Sequence, residues 1–180
     1  MDASFAPLWN IKNEEKNARS QTGYVIRIDD VPITWCSKKQ GLTTLSATEA
    51  EYIAMSMAIR ELMWVRRLVS DVAKGFGIEY NHTTIIKSTV FEDNEGAIAV
   101  AKRPDMTPQT RHLHMKYHHF KENIGVDKAG NGITIEWIST VNQIADIFTE
   151  GVGPQLFVPL RDKLMGWSAN LETGDKFDGA

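Results

Sequence analysis

The sequence predicts a mixed α/β domain, a sheet with helices packed against it. Three observations carry this: two adjacent β-branched and aromatic runs near residue 30, one long amphipathic helix after them, and alternation of strand-like and helix-like segments to about residue 150. Thr22–Ile28 (TGYVIRI) and Val31–Trp35 (VPITW), joined by Asp29-Asp30, read as a hairpin. Residues 47–73 read as one helix, Thr84–Glu92 as a strand and Glu95–Lys102 as a short helix. Pro104 and Pro108 bracket a loop, and His112–Ile124 has the pattern of a further helix. Ile133–Ile138 is a strand and Asn142–Glu150 a helix. Trp64, Trp137 and Trp167 read as core, and Cys36 beside Trp35 as a buried thiol.

Composition narrows the function classes. A chain of 180 residues is about one domain of the usual ~150 residues. One cysteine rules out an internal disulfide framework and fits a reducing, cytoplasmic setting. There is no apolar run near the ~18 residues of a membrane span, and Met1-Asp2-Ala3-Ser4 does not start a signal peptide. A net charge of −3 argues against a simple cationic nucleic-acid binder. The charge is uneven, however. Between Lys102 and Lys121 lie five Lys/Arg against one Asp, with four of the five histidines.

Four acids invite separate weighing. Thr48 and Glu51 have capping-box spacing at the start of the long helix. On a helical wheel, though, Glu51 shares a face with Ala54, Met55, Ala58 and Leu62, while Glu49 lies with Ser56, Arg60 and Arg67. Glu51 therefore points toward the sheet and Glu49 toward solvent. Asp93, beside Asn94, stands at a strand-to-helix junction, where functional groups and helix caps both occur. Asp146 lies within a helical segment among Ile144, Ala145 and Phe148, and Asp2 has no local context. Carboxylates drawn from several elements suit phosphodiester hydrolysis assisted by two Mg²⁺ ions about 4 Å apart.

The runs SQTGYVIRIDDVPITWCSKKQ (20–40), LSATEAEYIAMSMAIRELMWVRRL (45–68) and FEDNEGAIAVAKRPD (91–105) carry a resemblance. So do RHLHMKYHHFKENI (111–124), ITIEWISTVNQIADIFTEG (133–151) and QLFVPLRDKLMGW (155–167). Together they resemble the ribonuclease H domain of copia-type (Pseudoviridae) retrotransposon polyproteins. The resemblance implies a ribonuclease H-like fold, a five-stranded mixed β-sheet flanked by α-helices, over residues 1–151. It implies a C-terminal helical extension over 152–168, and a flexible tail over 169–180 is expected from composition. Because Met1 directly precedes Asp2, the first strand is expected to be short.

The same resemblance implies a metal-dependent endonuclease that cuts the RNA strand of RNA–DNA hybrids. Its ligands match Asp2, Glu51, Asp93 and Asp146, holding two Mg²⁺ ions, with Mn²⁺ as a substitute. Cellular enzymes place a His ahead of the last Asp, and Ser139–Asn142 offers none. The implied partners are the hybrid and the reverse transcriptase polymerase domain of the same polyprotein, in the cytoplasm or a virus-like particle, without a membrane. A hybrid is read through phosphates and 2′-hydroxyls. The candidates for that contact are Lys38, Lys39 and Gln40, then Asn94, then Arg111, His112 and Lys116. His114 and His118 have zinc-pair spacing but lack accompanying Cys or Glu, so core or phosphate-facing roles are favoured. The alternative function is an inactive remnant that keeps the fold and some nucleic-acid binding.

Overall fold

The computed structural model describes residues 1–5, 19–78, 86–103, 117, 119–127 and 131–167. Strand β1 (Asp2–Ser4) leads to the hairpin of β2 (Gln21–Ile28) and β3 (Val31–Lys39). Helix α1 (Ala47–Gly75) follows, then β4 (Lys87–Glu92) and α2 (Glu95–Lys102). Strands β5 (Gly125–Val126) and β6 (Gly132–Trp137) and helix α3 (Pro154–Leu164) complete the regular elements.

The hairpin forms as expected. Its strands pair antiparallel, with Tyr24 opposite Cys36 and Val25 opposite Trp35, and a bulge falls between Ile26 and Arg27. Asp29 takes the left-handed conformation of the turn (φ 54°), which Asp tolerates better than most residues, and Arg27 pairs with Asp30 across it. Cys36 is half-buried rather than buried.

Helix α1 spans 29 residues, but all its buried side chains lie between Ala50 and Ile59. Its first half packs Ile53, Met55 and Ile59 into the core, beside Phe120 and Ile133. Trp64, in the second half, lies on the outward face of the helix and is 64% exposed, not core. Trp137 and Trp167 are also outside the core, at 57% and 51% exposure. Each is held by its polar environment instead: the Trp137 indole donates to the Asp93 carbonyl at 3.1 Å, and the Arg161 guanidinium lies 5.5 Å over the Trp167 ring.

A single five-stranded sheet is not what the described residues form. They make two three-stranded sheets, one ordered β1-β2-β3 and the other β4-β6-β5. Within the second, β4 and β6 run parallel while β5 is antiparallel to β6. The three residues of β1 pair with β2 through Asp2–Gly23, Ala3–Thr22 and Ser4–Gln21. Toward β4 they contribute no ladder. Among the described residues one bond, from the Met1 nitrogen to the Phe91 carbonyl at 3.1 Å, joins the two sheets at this seam. Beyond it a cleft of about 860 Å³ opens, bounded by Tyr24, Ile26, Ala58, Leu62, Val90 and Phe91.

Two predicted helices take other forms. Residues 112–116 and 118 lie outside the described residues, but Lys121–Asn123 is a single 3₁₀ turn and Ile124 bridges to Ile133. The fully buried Phe120 stacks near Tyr52, and Gly125 (φ 123°) then redirects the chain into β5. Residues predicted as the helix Asn142–Glu150 form two 3₁₀ turns, Thr140–Asn142 and Ile144–Phe148. The break falls at Gln143, whose backbone is extended (ψ 97°) and whose side chain is buried. In the expected C-terminal extension, α3 docks through the fully buried Leu160. The expected tail lies outside the described residues from 168 onward.

Arg66 ties α1 to the second sheet. One of its terminal nitrogens donates to the Ile86 carbonyl (2.7 Å), the Ser88 hydroxyl (2.7 Å) and the Gly132 carbonyl (2.9 Å). The other reaches Asn131 Oδ1 at 2.8 Å. A planar fork serves this set and an ammonium does not. Replacing Arg66 by Met removes these four hydrogen bonds, at an expected cost of about 2 kcal/mol. Thermal unfolding should show Tm lowered by about 4–8 °C, with Arg66→Lys recovering only part of it.

Candidate metal centre

Two of the acids, Glu51 and Asp93, are freed for the site by neighbours that take over the capping task. At the start of α1 the cap is Ser46, whose hydroxyl accepts from the Glu49 N–H at 3.2 Å. Glu49 reaches back to the N–H of Leu45, the residue before the cap, at 2.8 Å, so Ser46 and Glu49, and not Thr48 and Glu51, close this end of the helix. Glu49 is thereby a capping group rather than a merely solvated acid. Glu51, one turn on, is left on the buried face. At α2 the cap is Asn94, whose Oδ1 accepts from the Ala97 N–H at 2.9 Å, and this releases Asp93.

Asp2, Glu51 and Asp93 each offer a carboxylate oxygen, and these atoms lie within 4.8 Å of one another. They come from the start of β1, the second turn of α1 and the end of β4, so the seam between the sheets runs through the group. Asp93 Oδ2 accepts from the Thr140 hydroxyl at 2.7 Å, and Asp2 Oδ2 accepts from the Thr149 hydroxyl. The fourth predicted ligand, Asp146, is not in this tight group. It is buried on the 3₁₀ turn Ile144–Phe148, near enough for Asp2 and Asp93 to raise its pKa.

The electrostatics are those of crowded, desolvated anions. Burial, then Glu92, Asp2 and Asp93, push the Glu51 carboxyl far above its ordinary value. Burial and then Asp2 and Asp93 push Asp146 up to about 7. Asp2 is raised by burial, against the hydrogen bond from Thr149. Glu51 Oε2, Glu92 Oε2 and Asp146 Oδ1 are buried with no hydrogen-bond partner among the described residues. Buried acceptors without donors are costly unless a proton or a cation supplies the missing charge. An oxygen-only donor set of this charge fits a hard divalent cation such as Mg²⁺ or Mn²⁺.

Glu92 is a member that motif reading missed. It is fully buried, accepts from the Asn94 N–H at 2.9 Å, and has its pKa raised chiefly by burial. Strand alternation carried the signal, because Glu92 shares a face with buried Val90. Thr140 and Thr149 had no sequence signature. Gly23, inside a strand and opposite Asp2, marked a close backbone approach.

The predicted nucleic-acid contacts divide. Lys38 and Lys39 are exposed at the end of β3. Gln40 is buried, its amide donating to Thr22 Oγ1 at 3.0 Å and the Ala50 carbonyl at 2.8 Å, so it braces β2 against α1 and does not face a ligand. Asn94 is half-exposed but engaged as a cap. Arg111, His112, Lys116, His114 and His118 lie outside the described residues.

The chain is similar to retrovirus-related Pol polyproteins of plant transposons. It is 29% identical to that from transposon RE2 of Arabidopsis thaliana over 131 residues, 73% of this chain and 8% of the relative. It is 29% identical to that from transposon TNT 1-94 of Nicotiana tabacum over 154 residues, 86% of this chain and 10% of the relative. With the polyprotein from transposon RE1 of Arabidopsis thaliana it shares 26% identity over 145 residues, 81% of this chain and 9% of the relative. The chain thus spans about a tenth of the length of these relatives. No family model and no solved structure matches it.

The raised carboxyls set a pH dependence. Where a folded-state pKa lies above the unfolded value, the unfolded chain gives up its proton first as pH rises, and stability falls. For Asp146 that window runs from its ordinary 3.8 to about 7. In the presence of chelator, Tm should fall across this window, and Asp146→Asn should flatten the fall. Millimolar Mg²⁺ should raise Tm more at pH 8 than at pH 5. A chelated protein whose Tm climbs steadily from pH 4 to 7 would contradict this electrostatic picture.

Proposed function

We propose that the chain is a ribonuclease H domain of a retrotransposon Pol polyprotein, hydrolysing the RNA strand of RNA–DNA hybrids with divalent cations. The observation that carries the reading is the convergence of Asp2, Glu51 and Asp93 from three separate elements in a chain related to Pol polyproteins. Asp2, Glu51 and Asp93 would hold Mg²⁺, in one or both of two positions, with Asp146 beside them and Mn²⁺ as a substitute. When bound, such ions neutralise phosphate charge and lower the pKa of attacking water.

The chain's own groups then have distinct tasks. Thr140 orients Asp93 by donating to its Oδ2. Burial of Glu51 and Glu92 keeps the site's charge responsive to the cation and not to bulk solvent. Lys38 and Lys39 project from the exposed end of β3 and suit phosphates of the bound duplex. The proposed partners are the hybrid and the polymerase domain of the same polyprotein, with action in the cytoplasm or a virus-like particle. No helix among the described residues is long and apolar enough to cross a membrane.

A second reading, the fold without turnover, is favoured by one observation: β1 has three residues and, among the described residues, a single bond from Met1 reaches β4. A strand held on one side positions Asp2 less firmly than one laddered on both.

A fluorescent RNA–DNA hybrid separates these readings. The leading one expects cleavage with Mg²⁺, none with EDTA, and no cleavage of duplex DNA. Asp93→Asn should lower the rate by more than the about 10–100-fold typical of losing an outer-shell partner. Its Tm in chelator should stay level or rise, because a repelling charge is gone. Equal cleavage by Asp93→Asn and wild type would overturn the assignment.

A further inference from the structure

Thr149 stands in an unusual position between two of the acids. It is buried, follows the 3₁₀ turn that carries Asp146, and its hydroxyl donates to Asp2 Oδ2 on β1. The same hydroxyl lies 3.1 Å from the Asp146 carbonyl. A hydroxyl has one proton, so the two acceptors compete for it. The Asp146 carbonyl already receives the main-chain N–H groups of Thr149 and Glu150, each at 3.1 Å. The proton is therefore available to Asp2.

The approach that makes this bond possible depends on Gly23. It is the residue paired with Asp2 across the β1–β2 ladder. A Cβ there would sit 2.6 Å from Thr149 Cγ2, 2.9 Å from the Ala145 carbonyl oxygen and 2.9 Å from Phe148 Cβ. No real Cβ is found so close, so the turn presses against β2 only because position 23 has no side chain.

An Asp side chain is free to swing about its last torsion, whose preference is broad and two-fold. We propose that Thr149 is a positioning residue, which fixes the orientation of the Asp2 carboxylate for cation binding and locks the Asp146 turn to β1, with Gly23 as the gap that admits it. This rests on the reading of Asp2, Glu51 and Asp93 as a cation site. Hydrogen-bonded partners of ligands act in this way, by removing orientations that do not bind.

Calorimetric titration of the full chain with Mg²⁺ tests it without any nuclease assay. Thr149→Val removes the hydroxyl at nearly constant shape and should weaken Mg²⁺ binding about 10-fold or more. Thr149→Ser restores the donor and should bind within about two-fold of wild type. Gly23→Ala should weaken binding in the same direction as Thr149→Val, since it displaces the turn with its hydroxyl intact. If the valine variant does not fold, Thr149→Ala removes the same donor without a branched side chain. Wild-type affinity in the valine or alanine variant would overturn the positioning role alone. So would a serine variant as weak as the valine variant, because the methyl group and not the hydroxyl would then matter. A wild-type chain that binds no Mg²⁺ would instead overturn the reading of the site on which the proposal rests.

Discussion

The arrangement that governs this structure is the repulsion among buried and half-buried carboxylates. Burial raises the pKa values of Asp2, Glu51, Glu92 and Asp146, and the charges of Asp2 and Asp93 push Glu51 and Asp146 up further. Each desolvated charge costs free energy unless it is neutralised. The local structure is organised to keep them there. Ser46 with Glu49 caps one helix and Asn94 caps the next, so neither Glu51 nor Asp93 is consumed as a cap.

The acids also occupy the mechanical seam of the molecule. On one side lies the antiparallel sheet of β1, β2 and β3, on the other the sheet of β4, β5 and β6. Backbone bonding across the seam is slight, and α1 does most of the bridging, with Ala50–Ile59 buried against the core and Arg66 gripping the ends of β4 and β6. A cation held by Asp2, Glu51 and Asp93 would link β1, α1 and β4 directly. Binding and stability are therefore coupled in this site by its position in the fold, as well as by charge.

What the sequence made legible follows from which features are local. The hairpin, α1 and α2 have strong periods and turn residues, and they form close to where those signals put them. The inward face of Glu51 was readable from the wheel. The cap was not, because Ser46…Glu49 and Thr48…Glu51 both have the same three-residue spacing, and only packing decides between them. Glu92 was readable from alternation with Val90, yet an acid at an inward position runs against the usual hydrophobic rule. The seam depends on how many residues β1 offers to two neighbours at once, which no local window reports. The apolar spacing of the turn bearing Asp146 fits a helix, while the extended Gln143 and the bonds of Thr149, which break it into 3₁₀ turns, are tertiary features. The tryptophans mislead for a different reason: large rings settle on the surface when a guanidinium or a carbonyl holds them.

On the proposed function these acids are gathered to hold a divalent cation. Crystals of the full chain soaked in Mn²⁺ and measured at a wavelength where manganese scatters anomalously would locate such an ion without recourse to activity. The expected result is a peak enclosed by the Asp2, Glu51 and Asp93 carboxylates. A map with no peak there at saturating Mn²⁺, with the three carboxylates as close together as they are now, would contradict it.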